Sequence, residues 1–286
     1  MKYELIALIA ESWRAMAHNG RWMSWNLFLA LVPLAVSFLL FYRPRSRFLL
    51  WGTAFLLGAT FLPNTRHVVA YGVHLIRDLG KTYVLGAIVI TVLLMALDIW
   101  VLRQRGARSL RWWGGFLAFI AFLPNAPYVL TDIIHLIDQI RWGYSVWVIT
   151  LALIPQYLLF MVVGFEAYVL SVINLGYYLK QQGLGQFILV AELIVHGLCA
   201  IGIYLGRFIR FNSWDIITNP DELVNTVMND LIGKRPVLVM VVTFLVITCL
   251  YWLMKQVSLG ISQQHLKSKP QEDLANGNAT SSGPIS

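Results

Sequence analysis

Charge is what this chain has least of. Only 13% of its 286 residues are Asp, Glu, Lys or Arg while 58% are hydrophobic, against roughly a quarter charged in a soluble domain. With a mean hydropathy of +0.67 it cannot clothe itself in polar side chains in water, which excludes the soluble enzyme and binding-module classes and places it in lipid. Cysteine is also scarce. Cys199 and Cys249 both lie in apolar runs, where a thiol packs as a small hydrophobe, so neither a disulfide framework nor a zinc cluster is indicated. The commoner catalytic signatures are missing too: there is no Walker motif, dinucleotide fingerprint, His-Glu-x-x-His helix or Gly-x-Ser-x-Gly elbow. The first twenty residues lack the uncharged core and cleavage site of a secretory signal, because Glu4, Glu11 and Arg14 interrupt Leu5, Ile6, Leu8, Ile9 and Trp13. That pattern predicts an amphipathic interfacial helix over residues 1–21. The net charge of +8 does not point to nucleic acid. The basic residues stand in short runs between apolar segments, as topology signals do, with no basic helix or aromatic platform beside them.

What the chain does contain is a repeat. Phe61-Leu62-Pro63-Asn64 recurs as Phe122-Leu123-Pro124-Asn125, and at the same offset His74-Leu75-Ile76 recurs as His135-Leu136-Ile137. Self-similarity at one offset means a structural unit used twice. Proline donates no backbone hydrogen bond and crowds the preceding turn, so Pro63 and Pro124 should end or kink their spans. The Asn that follows is a preferred helix N-cap, expected to accept a bond from an unpaired backbone N–H of a new helix. That helix carries a polar stripe: His67, Tyr71, His74 and Asp78 in copy one, and Tyr128, Asp132, His135 and Gln139 in copy two. Spacings of four, three and four residues put each set on one helical face. Either the stripe meets water from an interfacial helix, or the two stripes build a shared site.

Seven apolar segments reach or approach span length, at 23–42, 48–63, 82–102, 112–125, 144–175, 184–206 and 236–254. The second and fourth are short and end at the repeated motif. The fifth is long and holds Pro155 and Gly164, so it reads as one kinked helix or as two pieces. Loops 43–47 and 103–111 are basic and free of acid, whereas the opposite face carries Asp78, Asp132, Asp138, Asp215, Asp221, Glu222 and Asp230, which places those loops in the cytoplasm and the N-terminus outside. The expected fold is therefore all-α: a polytopic integral membrane protein of about seven transmembrane helices, with interfacial amphipathic helices and an internal duplication of the first two helix pairs. Its parts are an N-terminal segment 1–21, repeat copy one over 22–80, copy two over 81–142, three further spans over 143–256 with a surface helix at 219–231, and a disordered tail at 257–286.

All even-numbered spans then run outward, bringing both motifs and the stretch Arg207–Asp215 to one face. A site there would use Asp132, His135 and Asp215 as acid, base or metal ligands, although no metal is specified by the sequence. Asn64, His74, Asn125, Tyr128, Arg207, Arg210 and Asn212 would contact a ligand, the two arginines gripping an anion or merely complementing their helix end. Deeper in the spans lie Glu166, Glu192 and His196, and buried ionisable groups in lipid are costly enough to suggest function. Glu192 and His196 are one turn apart and could relay protons or pair for packing. Three functions follow: an enzyme or binding protein for a membrane lipid or lipid-linked headgroup, a proton-coupled small-molecule transporter, or a non-catalytic membrane scaffold.

Trp25-Asn26-Leu27-Phe28-Leu29-Ala30, Phe122 to Tyr128 followed by Thr131-Asp132 and His135-Leu136, and Gly202-Ile203-Tyr204-Leu205-Gly206-Arg207-Phe208 with Arg210 and Asn212–Asp215 resemble the motifs of a prokaryotic membrane-protein family catalogued as domain of unknown function 1361. The likeness covers about residues 22–220 and implies a membrane protein, with no activity attached; the apolar spans themselves predict a multi-pass protein of the plasma membrane. Copy one departs from the family pattern, with Thr65-Arg66-His67 where Ala-Pro-Tyr is expected and Tyr71 where Asp is expected.

Overall fold

The computed structural model describes residues 2–41, 47–65, 91–95, 109–206 and 234–279, and every regular element among them is helical. The longer ones are α1 (Lys2–Leu40), α2 (Arg47–Phe61), α3 (Leu110–Phe122), α4 (Ile133–Arg141), α5 (Ile154–Gln181), α6 (Ile188–Tyr204) and α7 (Lys234–Ala279). Five helical stretches are long and apolar enough to cross a membrane: Tyr3–Leu40, Leu110–Arg141, Val146–Gln181, Gly185–Tyr204 and Pro236–Gly260; Phe48–Asn64 is a shorter apolar helix. The chain is an all-helical, multi-pass membrane protein. Of the expected third span only Thr91–Met95 is described, and it is helical; the helices expected at 66–78 and 219–231 lie outside the described residues.

Side-chain pairings fix the helix directions. Asn19 donates to Gln156 Oε1 (3.2 Å) and Asn174 donates to Ser37 Oγ (2.9 Å), so α1 and α5 run parallel. Phe61 packs on Phe28 with ring centroids 5.8 Å apart while Asn64 donates to Ser24 Oγ at 2.8 Å, so the end of α2 meets the middle of α1. Phe41, at the far end of α1, packs on Trp112 near the start of α3 and crosses Phe119 at 4.9 Å and 89°. Tyr168 of α5 pairs with His196 of α6, and Gly176 lies against Ile188, so those two helices are antiparallel. Helices α2, α3 and α6 thus end on the side where α1 begins. Lipid is as apolar as the helix surfaces, so packing and interhelical hydrogen bonds hold such a bundle, the latter contributing about 0.6 kcal/mol each on average.

Two elements differ from expectation. The N-terminal segment is not a separate surface helix; it is the first half of α1, a continuous helix of 39 residues. At 1.5 Å per residue α1 is about 58 Å long, roughly twice the hydrocarbon thickness, so one end must project beyond it. Nothing in 1–21 stops a helix: it contains no proline, and its single glycine, Gly20, weakens a helix without ending it. The tail is not disordered as far as it is described, since α7 continues to Ala279; adding residues to an existing helix needs no new nucleus. The fifth span, expected as one kinked helix or as two pieces, is one path, Val146 to Gln181. A π turn at Ile149–Leu153 precedes Pro155, where a wider turn accommodates a residue that cannot donate.

Candidate functional site

The repeated Pro-Asn pair changes helix type instead of stopping the helix. Pro63 and Asn64 sit in a 3-10 turn, Leu62–Asn64, that follows α2 directly with right-handed helical backbone on both sides. In copy two Leu123 and Pro124 also keep helical dihedrals and lead into a short turn, Asn125–Tyr128, then a 3-10 turn, Val129–Asp132, and then α4. Neither Asn acts as the expected N-cap acceptor. Asn64 Nδ2 donates back to the Thr60 carbonyl (2.9 Å), and Asn125 Nδ2 donates back to the Phe122 carbonyl (3.0 Å). The physical reason is the change of helix type at this point: carbonyls at the end of the preceding helix lose their regular i+4 backbone donor, and the Asn side chain supplies one.

The polar stripe of copy two turns toward α1. Asn26 Nδ2 donates to Asp132 Oδ2 at 2.8 Å, the His135 ring lies 5.0 Å from that of Trp22, and Gln139 and Asn19 exchange amide hydrogen bonds. Asn19 also reaches Gln156, whose Nε2 donates to the Met16 carbonyl. Partners on α1 fall from 26 to 19 as those on α4 rise from 132 to 139, so α4 runs antiparallel alongside α1 and does not lie across it. Ile133, Ile134, Ile137 and Ile140 occupy the outer face, each 43–45% exposed. Asp132 is fully buried, whereas the His135 side chain is 47% exposed with its Nε2 4.0 Å from Asp132 Oδ1. Among the described residues no third His, Cys, Asp or Glu joins them. Copy two can approach α5 this closely because residue 164 is glycine: a Cβ there would come within 2.8 Å of the Val129 side chain, which is itself wholly buried.

A cleft of about 260 Å³ opens beside Asp132, lined by Asn26 and Leu29 of α1, Pro124, Asn125 and Tyr128 of the second motif, and Gly202 and Gly206 at the end of α6. Asn64 does not line it; it is buried against Ser24 on α1. Two buried polar atoms find no partner among the described residues, Asn64 Oδ1 and the Tyr157 hydroxyl, and the Tyr157 ring packs tilted against Trp22. Such groups each cost about 1–3 kcal/mol unless water or a ligand meets them. The remaining expected site residues, His74, Arg207, Arg210, Asn212 and Asp215, lie outside the described residues.

Away from the cleft, Glu192 and His196 are both buried but pair with different helices. Glu192 Oε1 accepts from the Tyr251 hydroxyl (2.7 Å) and from Lys255 Nζ (2.5 Å) on α7, while His196 Nδ1 bonds the Tyr168 hydroxyl on α5. Glu166 accepts from Ser258 Oγ, again on α7, at 2.6 Å. The stripe Tyr251, Lys255 and Ser258 therefore presents donors to acids on both α5 and α6.

The polar residues of this seam that the sequence reading did not place in it are Asn26, Asn19 and Gln156. A lone Asn within the apolar run Trp25–Ala30 was the available signal for Asn26; Asn19 had none, because the segment around it reads as surface.

No curated protein and no solved structure matches the chain. Two overlapping segments, residues 25–102 and 83–249, match the family model described as "Protein of unknown function (DUF1361)". The matched span contains every residue that lines the cleft, and the chain belongs to this family of proteins of unknown function, DUF1361.

Proposed function

We propose that this protein crosses the plasma membrane seven times and that its outward-facing cleft binds a lipid or lipid-linked headgroup. The observation that carries this reading is the cleft itself, in which α1, the second Pro-Asn motif and the end of α6 contribute lining residues although they are far apart in the chain. Concave sites with a few convergent polar groups between helices are the usual places for ligands. In this reading Asn125 and Tyr128 contact the ligand, Asp132 and His135 form the acid and base or a metal pair, and Asn64 supports the motif from the neighbouring helix. Arg207, which follows Gly206 directly in sequence, Arg210, Asn212, Asp215 and His74 are proposed to complete the site.

The front half is proposed to be an internal duplication. Support comes from the two Asn side chains, each donating back to a helix-end carbonyl three or four residues earlier and each sitting against the same stretch of α1. Reporters inserted after Arg108 and near Asp138 are expected to sit on opposite sides of the membrane, since the first follows a short basic loop and the second an acidic face. Finding both on one side would end the seven-span topology.

The functional reading is tested by the lipid profile of a strain lacking this chain. The expected result is a changed abundance of at least one headgroup class, restored by the intact protein and not by Asn125→Ala. An unchanged profile in the deletion strain would remove the headgroup function.

A further inference from the structure

The depth of the cleft in the bilayer follows from three helical stretches, and it bears on how a headgroup reaches the site; only the ligand, not the depth, rests on the reading above. Each stretch carries an aromatic ring near either end. Trp13 and Phe41 mark α1, Trp142 and Trp112 mark Leu110–Arg141, and Trp147 and Tyr177 mark Val146–Gln181. The rings of one end belong together, since Phe41 packs on Trp112 and both pack on Tyr178, while at the other end His18 packs on Trp142. Trp13, Trp142, Trp147 and Tyr177 are exposed, as rings in an interfacial belt are. At 1.5 Å per residue the two rings of each stretch are about 42–45 Å apart. A bilayer with its interfaces is about 40–45 Å thick.

The midpoints of the three stretches coincide at the cleft. They fall at Leu27, Pro127 and Val162; Asn26, Pro124, Asn125 and Tyr128 line the cleft, and Gly164 stands against Val129. A hydrocarbon layer of about 30 Å takes about ten residues on either side of each midpoint. Arg14, Arg111, Asp138, Arg141 and Lys180 all fall outside that window. Of the Asp, Glu, Lys and Arg inside it, Asp132 is buried and Glu166 accepts from Ser258. Arg21 lies about 6 Å within the edge, a depth that its long stem spans. The window also sets the exposed Ile133, Ile134 and Ile137 against lipid. Were the bilayer to end at the Pro-Asn motif instead, these isoleucines, Trp142, Trp147 and Leu151 would leave a broad apolar surface in water.

We propose that the cleft is an intramembrane binding site at the middle of the bilayer, built where the span Leu110–Arg141 is interrupted, and that a headgroup is drawn below the membrane surface to reach it. Interrupted spans that hold a site near the midplane occur in proteins that move polar groups across membranes, and irregular backbone at that depth is tolerated only where it is buried in protein or lines a cavity. A polar group taken about 15 Å below the headgroup layer leaves bulk water behind. Its hydrogen bonds must then come from the lining, where Asn26 and Asn125 supply carboxamides.

The test places a nitroxide on single cysteines of the full-length protein in phosphatidylcholine vesicles, with Cys199→Ala and Cys249→Ala as background. Trp147→Cys, Val162→Cys and Tyr177→Cys are the label sites, and all three side chains are exposed, so their loss leaves the bundle packing in place. Leu159→Cys, also exposed and close to residue 162 in depth, is a second midplane label should Val162→Cys not fold. Electron paramagnetic resonance reads depth from the ratio of collisions with oxygen, which concentrates in the bilayer centre, to collisions with a water-soluble nickel chelate. The label at 162 is expected to lie about 10 Å or more deeper than those at 147 and 177, which should be similarly shallow. Any other ranking overturns the proposal, and a shallow label at 162 with the label at 147 in open water would put the cleft at the surface. That outcome would leave the headgroup reading standing, whereas an unchanged lipid profile in the deletion strain would remove that reading without moving any label.

Discussion

Replacing Lys255 by Met is expected to destabilise the folded bundle by about 3 kcal/mol, at the lower end of the range for removing one partner of a buried ion pair. Glu192 is 7% exposed and accepts from both Tyr251 and Lys255. Without the ammonium its carboxylate would remain in an apolar span with a single neutral donor, a costly arrangement in lipid. Lys255 keeps 23% of its side-chain surface, which is why the lower figure is the appropriate one. The double variant Glu192→Gln with Lys255→Met removes both charges, keeps an oxygen to accept from Tyr251, and should recover most of the loss. Thermal unfolding of the purified protein in one detergent checks this as a shift in Tm. A double variant no more stable than the single one would show that the pair does not dock α7 on α6.

Asn26→Leu is the second large effect, because one side chain serves both the cleft and the carboxylate behind it. Asp132 is wholly buried and accepts from Asn26; leaving a buried acceptor short of a donor costs about 1–3 kcal/mol. The cleft loses a carboxamide at the same time, so the variant should fail to restore the lipid profile of a deletion strain even at temperatures where it stays folded. Normal stability and full complementation by Asn26→Leu would show that the contact between α1 and Asp132 has neither role.

The two predictions differ in how far the sequence anticipated them. Glu192 and His196 stand out in the sequence as ionisable groups one turn apart, which suggests that they pair with each other. In the fold each pairs with another helix, because a 3.6-residue repeat places them on a common face that meets α5 and α7 together. Asn26 stands in the motif Trp25–Ala30, but its partner Asp132 is more than a hundred residues away, and no local rule connects them.

Much of this protein follows from the sequence alone. Membrane residence, the positions of the apolar helices, the site of each Pro-Asn break and the face that carries the second polar stripe are sums of local terms: transfer energy per residue, one missing N–H, and the 3.6-residue period. At these motifs the helix changes type instead of ending, and each Asn side chain donates to a helix-end carbonyl instead of capping a new helix. Only the tertiary structure decided which polar groups share a seam: Asn19 with Gln139 and Gln156, Asn26 with Asp132, and Glu192 with Tyr251 and Lys255. It also decided that residues 2–21 continue into α1 and that Gly164 admits Val129 against α5. In lipid every unpaired polar group is expensive, so partners are chosen by which helices lie side by side, and that choice is made by the packing of the whole bundle and not by any one segment of the chain.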